Sequence, residues 1–245
     1  MEKSKQPDSS SNIVQYVLIG LLIVAAFFIG SLWTKVGTLE NKGGSAGKVA
    51  DNAAANPSAE ASAPVDVNAM AQNAGLNVED FKNCVTSKDA TDEVAAEEAS
   101  GATAGVQGTP GIFLVDTKTG KGIEIPGAVP YAQLKASLDK VIAGTDLTDL
   151  KLSAITDKEP IKGDSKARYA LVEYSDYDCP YCKQFDSTAN QLLKEYEGKV
   201  KWAYRQFPLD QLHPNTRAKS VAAICAAKLG GNDAFWKFTE EFMKE

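Results

Sequence analysis

Two cysteines separated by two residues follow an apolar segment that is rich in β-forming residues. The segment reads RYALVEYSD, and Cys179-Pro180-Tyr181-Cys182 comes shortly after it, with about 60 residues to follow. This pattern predicts a strand that leads into a helix, with Cys179 at the helix start and Cys182 about one turn further. Unpaired N–H groups and the positive end of the helix dipole favour a thiolate there. The pair is therefore predicted to be redox-active, with Cys179 attacking a substrate sulfur and Cys182 resolving the mixed disulfide.

Half of a zinc site is the alternative interpretation of this cysteine pair. A tetrahedral zinc site needs two more ligands at matching spacing. The chain has four cysteines and one histidine, and Cys84, Cys225 and His213 each stand alone in the sequence. The sequence therefore favours a redox pair without a metal or another cofactor. His213 is interpreted as a loop residue at the start of a helix.

The N-terminal region differs from the rest of the chain. Residues 13–33 read IVQYVLIGLLIVAAFFIGSLW, an uncharged run whose length suits a bilayer span. We predict an uncleaved signal-anchor there, after a short tail at 1–12, with a cleaved signal peptide as the alternative. Residues 34–64 are rich in small and polar residues and are predicted to be a flexible tether. The net charge of −6 offers no basic surface for nucleic acid.

Residues 65–245 are predicted to form the folded domain. Helical patterns are mixed with four strands, GIFLVD, IEIPGA, RYALVEYSD and KVKWAYRQF. A polar connector is predicted over 145–166, between a first segment at 65–144 and a second at 167–245. Helices mixed with strands in this way indicate an α/β fold.

The motifs of both segments resemble one protein family. ALVEYSDYDCPYC, followed by WAYRQFPLDQLHPNTRAKSVAAICAAKLGGNDAFWKF, is similar to the first half of a DsbA-like thiol–disulfide oxidoreductase. AGLNVEDFKNCVTS, GVQGTPGIFLVD and IPGAVPYAQLKASLDKVI are similar to the second half. The resemblance implies a thioredoxin fold with a helical insertion. Because the second half comes first here, the order resembles a circular permutation cut inside that insertion; a truncated repeat or an exchange of halves between two chains are the rival accounts.

The resemblance also implies roles for individual residues. Cys179 is similar to the nucleophile and Cys182 to the buried resolving thiol. Thr109-Pro110 resembles a cis-proline loop that faces the cysteines and pairs with an extended substrate; an ordinary turn proline is the alternative. Glu173 lies where thioredoxin-like folds carry a buried acid, which could accept or relay a proton. The alternative for Glu173 is a partly exposed strand residue.

Cys84 and Cys225 are predicted to form a structural disulfide. The resemblance supports this pair, because related proteins have cysteines at corresponding places. An even number of cysteines in an extracytoplasmic chain points the same way. Two buried, reduced thiols that pack as small apolar side chains are the alternative.

The function implied by the resemblance is oxidation of dithiols in exported proteins. The enzyme would be held in the cell membrane by a single span, with its catalytic domain on the extracytoplasmic side. A membrane quinone-linked partner would restore its disulfide. Tyr181 stands where the strongest oxidants of the family have a histidine, which leaves the redox direction open. A disulfide reductase or isomerase, and a tethered binding module without turnover, remain as alternatives.

Overall fold

The computed structural model describes residues 65–244. The predicted tail at 1–12, anchor at 13–33 and tether at 34–64 lie outside these residues. None of the helices between residues 65 and 244 combines the length and the apolar composition of a membrane span. The helices in chain order are α1 (Val67–Asn73), α2 (Val78–Val85), α3 (Lys88–Ala104), α4 (Tyr131–Ala143), α5 (Pro180–Glu195) and α6 (Thr216–Lys244). The strands are β1 (Gly111–Asp116), β2 (Lys121–Ile125), β3 (Thr148–Asp149), β4 (Ile161–Gly163), β5 (Tyr169–Ser175) and β6 (Val200–Gln206).

Local sequence signals explain where several helices begin and end. Asn77 caps α2, because its side chain accepts hydrogen bonds from the backbone N–H groups of Glu79 and Asp80. The hydroxyl of Ser87 caps α3 in the same way. The closing helix α6 bends at Gly231, whose φ of 71° lies in the left-handed region that favours glycine. The closing helix α6 therefore consists of two helical parts that meet at Gly231.

Six strands form one sheet in the order β3-β2-β1-β5-β6-β4. Strand β1 runs antiparallel to β5, with Ile112 opposite Glu173, and β5 runs parallel to β6, with Glu173 opposite Tyr204. The centre of the sheet thus pairs a strand of the first segment with two strands of the second. Both segments therefore belong to one sheet within one chain, and the predicted α/β class is confirmed.

The prediction of four strands was wrong, because the connector at 145–166 supplies two more. Strands β3 and β4 have only two and three residues, too few for the alternation that identifies a strand in a sequence. They pair with β2 and β6 at the two edges of the sheet. Leu150, Leu152 and Ile155 of the connector also pack against one face of the sheet. The connector is therefore an integral part of the fold.

Arg205 holds the connector in place. Its side chain is buried, and Nε and Nη2 each donate to one carboxylate oxygen of Glu159 at 3.0 Å. Nη2 also donates to the backbone carbonyl of Ser153 at 3.1 Å, and Nη1 donates to the Tyr174 hydroxyl at 2.8 Å. Two-point contact between a guanidinium and a carboxylate has a fixed geometry and is stronger than a single hydrogen bond. These bonds fix the connector against β5 and β6.

Side chains along each strand alternate between the two faces of the sheet. The helix-covered face carries Ile112, Leu114, Leu171, Trp202 and Tyr204. The face covered by the connector carries Phe113, Val115, Val172 and Tyr174. Because Glu173 lies two residues after Leu171, its side chain is on the helix-covered face. This alternation places a carboxyl group beneath the helices, where Cys182 is also buried.

The N-terminal helices pack against the last helix of the domain. A disulfide joins Cys84 of α2 to Cys225 of α6, with a Cα–Cα distance of 5.8 Å and a sequence separation of 141. The rings of Phe81 in α2 and Phe238 in α6 also meet, with centroids 5.4 Å apart. The helical layer is therefore assembled from both ends of the folded chain.

Candidate active site

The cysteine pair lies where β5 passes into α5. Cys179 is the N-cap residue of α5, and Pro180 occupies the first turn, where its missing N–H costs little. The backbone N–H of Cys179 donates to the carbonyl of Asp176 at 3.2 Å, which closes the turn before the helix. Cys179 is 4% exposed and Cys182 is fully buried, and both are free thiols. The start of α5, directly after β5, therefore holds one slightly accessible sulfur and one inaccessible sulfur.

The loop before β1 faces the first cysteine. The Thr109–Pro110 peptide bond is cis, and the Cys179 thiol donates to the backbone carbonyl of Thr109 at 3.4 Å. The two residues are 70 positions apart in sequence. The antiparallel pairing of β1 with β5 brings them together, because Gly111 lies opposite Tyr174, near the ends of both strands.

The two thiols have different acidities. The hydrogen bond with the Cys182 thiol lowers the pKa of Cys179 to about 5, against the opposing effect of burial. Contacts with the Thr109 side chain and with the backbone N–H groups of Cys182 and Tyr181 also lower this pKa. Burial raises the pKa of Cys182, and its hydrogen bond to Cys179 and the nearby Glu173 carboxyl raise it further. At neutral pH, Cys179 therefore holds a thiolate while Cys182 keeps its proton.

We expect alkylation of the reduced protein at Cys179 to show a midpoint near pH 5, following the pKa given above. The rate of reaction with iodoacetamide, measured against pH, checks this value. The Cys182→Ala variant is the matched comparison: it removes the largest stabilising hydrogen bond, so its midpoint should lie at higher pH. A midpoint near 8.5 in the wild-type protein, as for an ordinary thiol, would contradict an activated Cys179.

Glu173 is a buried acid on the same face of the sheet as the resolving cysteine. It is 1% exposed, which rules out the partly exposed position considered above. Its Oε1 accepts a hydrogen bond from the Ser175 hydroxyl at 2.7 Å. Burial raises the pKa of Glu173 to about 8, against the smaller lowering effect of Ser175. The carboxyl is therefore largely protonated at neutral pH and can exchange a proton with a nearby group.

The Glu173→Gln variant is expected to be more stable than the wild type at pH 8. Between the unfolded pKa of about 4.3 and the folded pKa of about 8, the folded state holds a proton that the unfolded state has lost. Wild-type stability therefore falls as pH rises through this window. Glutamine removes this loss, on the order of a few kcal/mol. Urea unfolding at pH 4 and pH 8 measures it.

The pH 4 arm of that experiment is its control. At pH 4 the Glu173 carboxyl is mostly protonated in both the folded and the unfolded protein, so the variant and the wild type should differ little in stability. Glu97, which is partly buried, also has a pKa raised to about 8 by the burial of its carboxyl group, so the pH dependence should become shallower rather than disappear. A variant that is less stable than the wild type at pH 8 would contradict the prediction.

Asp176, which the sequence did not single out, organises the turn before the cysteines. This buried carboxylate accepts hydrogen bonds from the Thr216 hydroxyl at 2.7 Å and the Leu209 N–H at 2.8 Å. The His213 ring nitrogen Nδ1 lies 3.0 Å from it, and the Asp178 N–H donates to it at 2.8 Å. His213 is thus a loop residue whose ring contacts the redox turn. The carboxylate ties that turn to the segment before α6.

The predicted site residues fall into two places. Cys179, Cys182, Thr109, Pro110 and Glu173 lie together around the start of α5, whereas the Cys84–Cys225 disulfide lies in the helical layer. Within the part of the chain that the structure describes, no three histidine, cysteine or carboxylate side chains are grouped so as to hold a metal ion.

Comparison with protein families gives two matches along the chain. A model described as a DSBA-like thioredoxin domain matches residues 51–139, and a model described as thioredoxin matches residues 156–245. The fold is mixed α/β and thioredoxin-like. The first match contains the loop at Thr109-Pro110, and the second contains both cysteines of the redox turn. A DSBA-like domain points to thiol–disulfide oxidoreductase chemistry.

Curated relatives share part of this thioredoxin-like chain. The Na(+)/H(+) antiporter NhaA 3 of Salinispora tropica is 34% identical over 95 residues, which are 39% of this chain and 14% of the relative. The Na(+)/H(+) antiporter NhaA 1 of Salinispora arenicola is 32% identical over 91 residues, 37% and 13% of the two chains. The Na(+)/H(+) antiporter NhaA 1 of Mycobacterium sp. strain KMS is 27% identical over 146 residues, which are 53% of this chain and 23% of the relative. The chain therefore spans less than a quarter of the length of these relatives.

Proposed function

We propose that this protein is a thiol–disulfide oxidoreductase that uses Cys179 as its nucleophile and Cys182 as its resolving thiol. The observation that carries the proposal is the position of Cys179. It lies at the N-terminus of α5, next to the Thr109 carbonyl, with a pKa lowered to about 5 while that of Cys182 is raised. Two neighbouring sulfurs of such different acidity suit stepwise disulfide exchange.

In the oxidising direction, the enzyme starts with a Cys179–Cys182 disulfide. A substrate thiolate attacks the sulfur of Cys179, a mixed disulfide forms, and Cys182 leaves as a thiolate that takes up a proton. A second substrate thiolate then attacks the substrate sulfur of the mixed disulfide and releases the Cys179 thiolate. Two electrons pass from the substrate dithiol to the enzyme. The low pKa of Cys179 makes it a good leaving group in the second step.

Two further groups support this chemistry. The backbone beside Thr109 and Pro110 pairs with an extended substrate chain and holds its sulfur near Cys179. Glu173, largely protonated in its buried position, supplies the proton that Cys182 takes up when it leaves. Its burial on the helix-covered face together with Cys182 supports this role.

The cellular role proposed is the formation of disulfides in exported proteins. The uncharged run at 13–33 anchors the enzyme in the cell membrane, and the tether at 34–64 holds the catalytic domain on the extracytoplasmic side. A membrane quinone-linked partner reoxidises the cysteine pair. Fractionation of cells, with protease added to intact spheroplasts, tests the anchor and its orientation.

The order of the two segments is proposed to be a circular permutation cut inside the helical insertion. The order of the family matches supports it, as does the pairing of β1 with β5. A reordered chain, with residues 145–244 linked to residues 65–144 so that the connector is kept, tests the proposal. It should keep the Cys84–Cys225 disulfide and the acidity of Cys179. Aggregation of this chain, with loss of both properties, would count against the permutation.

The test of the proposed function is the reduction potential of the cysteine pair, measured in glutathione buffers. A potential above about −180 mV, combined with turnover on a reduced, unfolded substrate, supports the oxidase. A potential below about −230 mV favours the reductase, and rearrangement of scrambled disulfides favours the isomerase. Binding of unfolded chains that is equally strong in the Cys179→Ser variant, without turnover in the wild type, would favour the binding module.

A further inference from the structure

The turn before Cys179 places two carboxylates directly before the nucleophile. Asp176 is three residues away, and Asp178 is the preceding residue. A negative charge near a thiol disfavours the thiolate and raises the thiol pKa. Asp176 is buried and already accepts several hydrogen bonds, which spread its charge. The charge of Asp178 has to be balanced separately if Cys179 is to remain acidic.

Lys219 of α6 meets Asp178. The Lys219 ammonium nitrogen lies 2.8 Å from Asp178 Oδ1, and the two side chains are only 16% and 22% exposed. The ammonium also lies 5.7 Å from the centre of the Phe242 ring. Because the pair is mostly shielded from solvent, salt screens it less than an ion pair on the open surface. The charge balance next to the nucleophile is therefore a stable feature of the site.

We propose that Lys219 is the counter-charge that keeps Asp178 from opposing the Cys179 thiolate, so that this ion pair sets the redox potential of the cysteines. The inference rests on the proposed oxidoreductase function and adds to it a positioning residue 41 positions away from Asp178 along the chain. Lys219 acts on Cys179 through Asp178 and through the electrostatic field of the pair. No step of sulfur chemistry passes through it.

The proposal predicts the direction in which each variant shifts the acidity of the Cys179 thiol and the redox potential of the cysteine pair. Lys219→Met leaves the Asp178 charge uncompensated, so the acid dissociation constant of the Cys179 thiol should fall by about three- to tenfold. Because the reduced enzyme then loses thiolate stabilisation, the potential should become more negative. Asp178→Asn removes the opposing charge and leaves the cation, so both quantities should shift in the opposite direction. The double variant, which lacks both charges, should lie close to the wild type.

The experiment measures the thiolate absorbance of the reduced protein against pH, together with the potential in glutathione buffers, for all four proteins. Lys228→Met is the matched control. Lys228 lies on the same helix α6 and pairs with Asp89 and Glu93 at 2.7 Å, far along the helix from the redox turn. Its replacement should leave the Cys179 titration unchanged. A purely structural role of Lys219 would lower the melting temperature without this pattern of opposite shifts.

The inference is overturned if Lys219→Met and Asp178→Asn shift the Cys179 titration in the same direction, or if neither moves it by as much as twofold. If Lys219→Met fails to fold, Asp178→Asn decides alone, because it must make the thiol more acidic. Failure of the proposed function looks different. In that case the wild-type cysteines would show no exchange with glutathione, while the titration of the reduced thiol could still be followed.

Discussion

Replacing Cys179 by serine is expected to reduce thiol–disulfide exchange by at least about a thousandfold. Cys179 is the slightly exposed sulfur of the pair, at the N-terminus of α5, and its lowered pKa makes it both the reactive thiolate and the good leaving group. A serine hydroxyl is not ionised at neutral pH and cannot form a disulfide. The rate of oxidation of a reduced dithiol peptide, followed by mass spectrometry, measures the loss.

Cys182→Ser is the matched variant and should behave differently. It retains the nucleophile but lacks the buried thiol that resolves the mixed disulfide. We therefore expect it to accumulate a covalent adduct when it is incubated with a disulfide-bonded peptide. The Cys179 thiolate attacks one sulfur of the peptide disulfide, the other sulfur leaves as a thiolate, and the peptide stays linked to Cys179. The adduct should disappear on reduction and should be absent from the Cys179→Ser variant. Residual turnover in Cys179→Ser above about one tenth of the wild-type rate would assign the nucleophile to another residue.

Removal of the Cys84–Cys225 disulfide is expected to lower the free energy of unfolding by about 2–5 kcal/mol. The bond closes a loop with a sequence separation of 141, for which the chain-entropy model gives a value near the upper end of that range. It also joins α2 to α6, which come from opposite ends of the folded chain. Urea unfolding of Cys84→Ala/Cys225→Ala, compared with the wild type in its oxidised form, checks the value.

The control for this prediction is the acidity of the active thiol. The structural disulfide lies in the helical layer, away from the turn at Cys179, so the double alanine variant should keep the Cys179 titration while it loses stability. Non-reducing peptide mapping of the wild type should recover the Cys84–Cys225 peptide from a monomer. A variant within about 0.5 kcal/mol of the wild type would show that this loop contributes little.

Local patterns made the main elements and the position of the two cysteines at a helix start predictable. The strand before Cys179, the proline after it and the alternation of apolar residues in β1, β5 and β6 are short-range signals. They arise because a strand repeats every two residues and a helix start accepts proline. The two short edge strands in the connector could not be predicted, since two or three residues carry no period. What places them is pairing with β2 and β6.

The sequence alone predicted which sulfurs are redox-active and that an acid lies in the strand before them. The tertiary structure decided which charged groups pair with one another. Lys219 lies 41 positions from Asp178, and Arg205 lies 46 positions from Glu159, so neither ion pair has a spacing that a helix or strand period would reveal. Such pairs depend on how α6 and the connector pack against the sheet. Ion-pair formation depends on distance in space and on burial, and these two quantities exist only once the chain has folded.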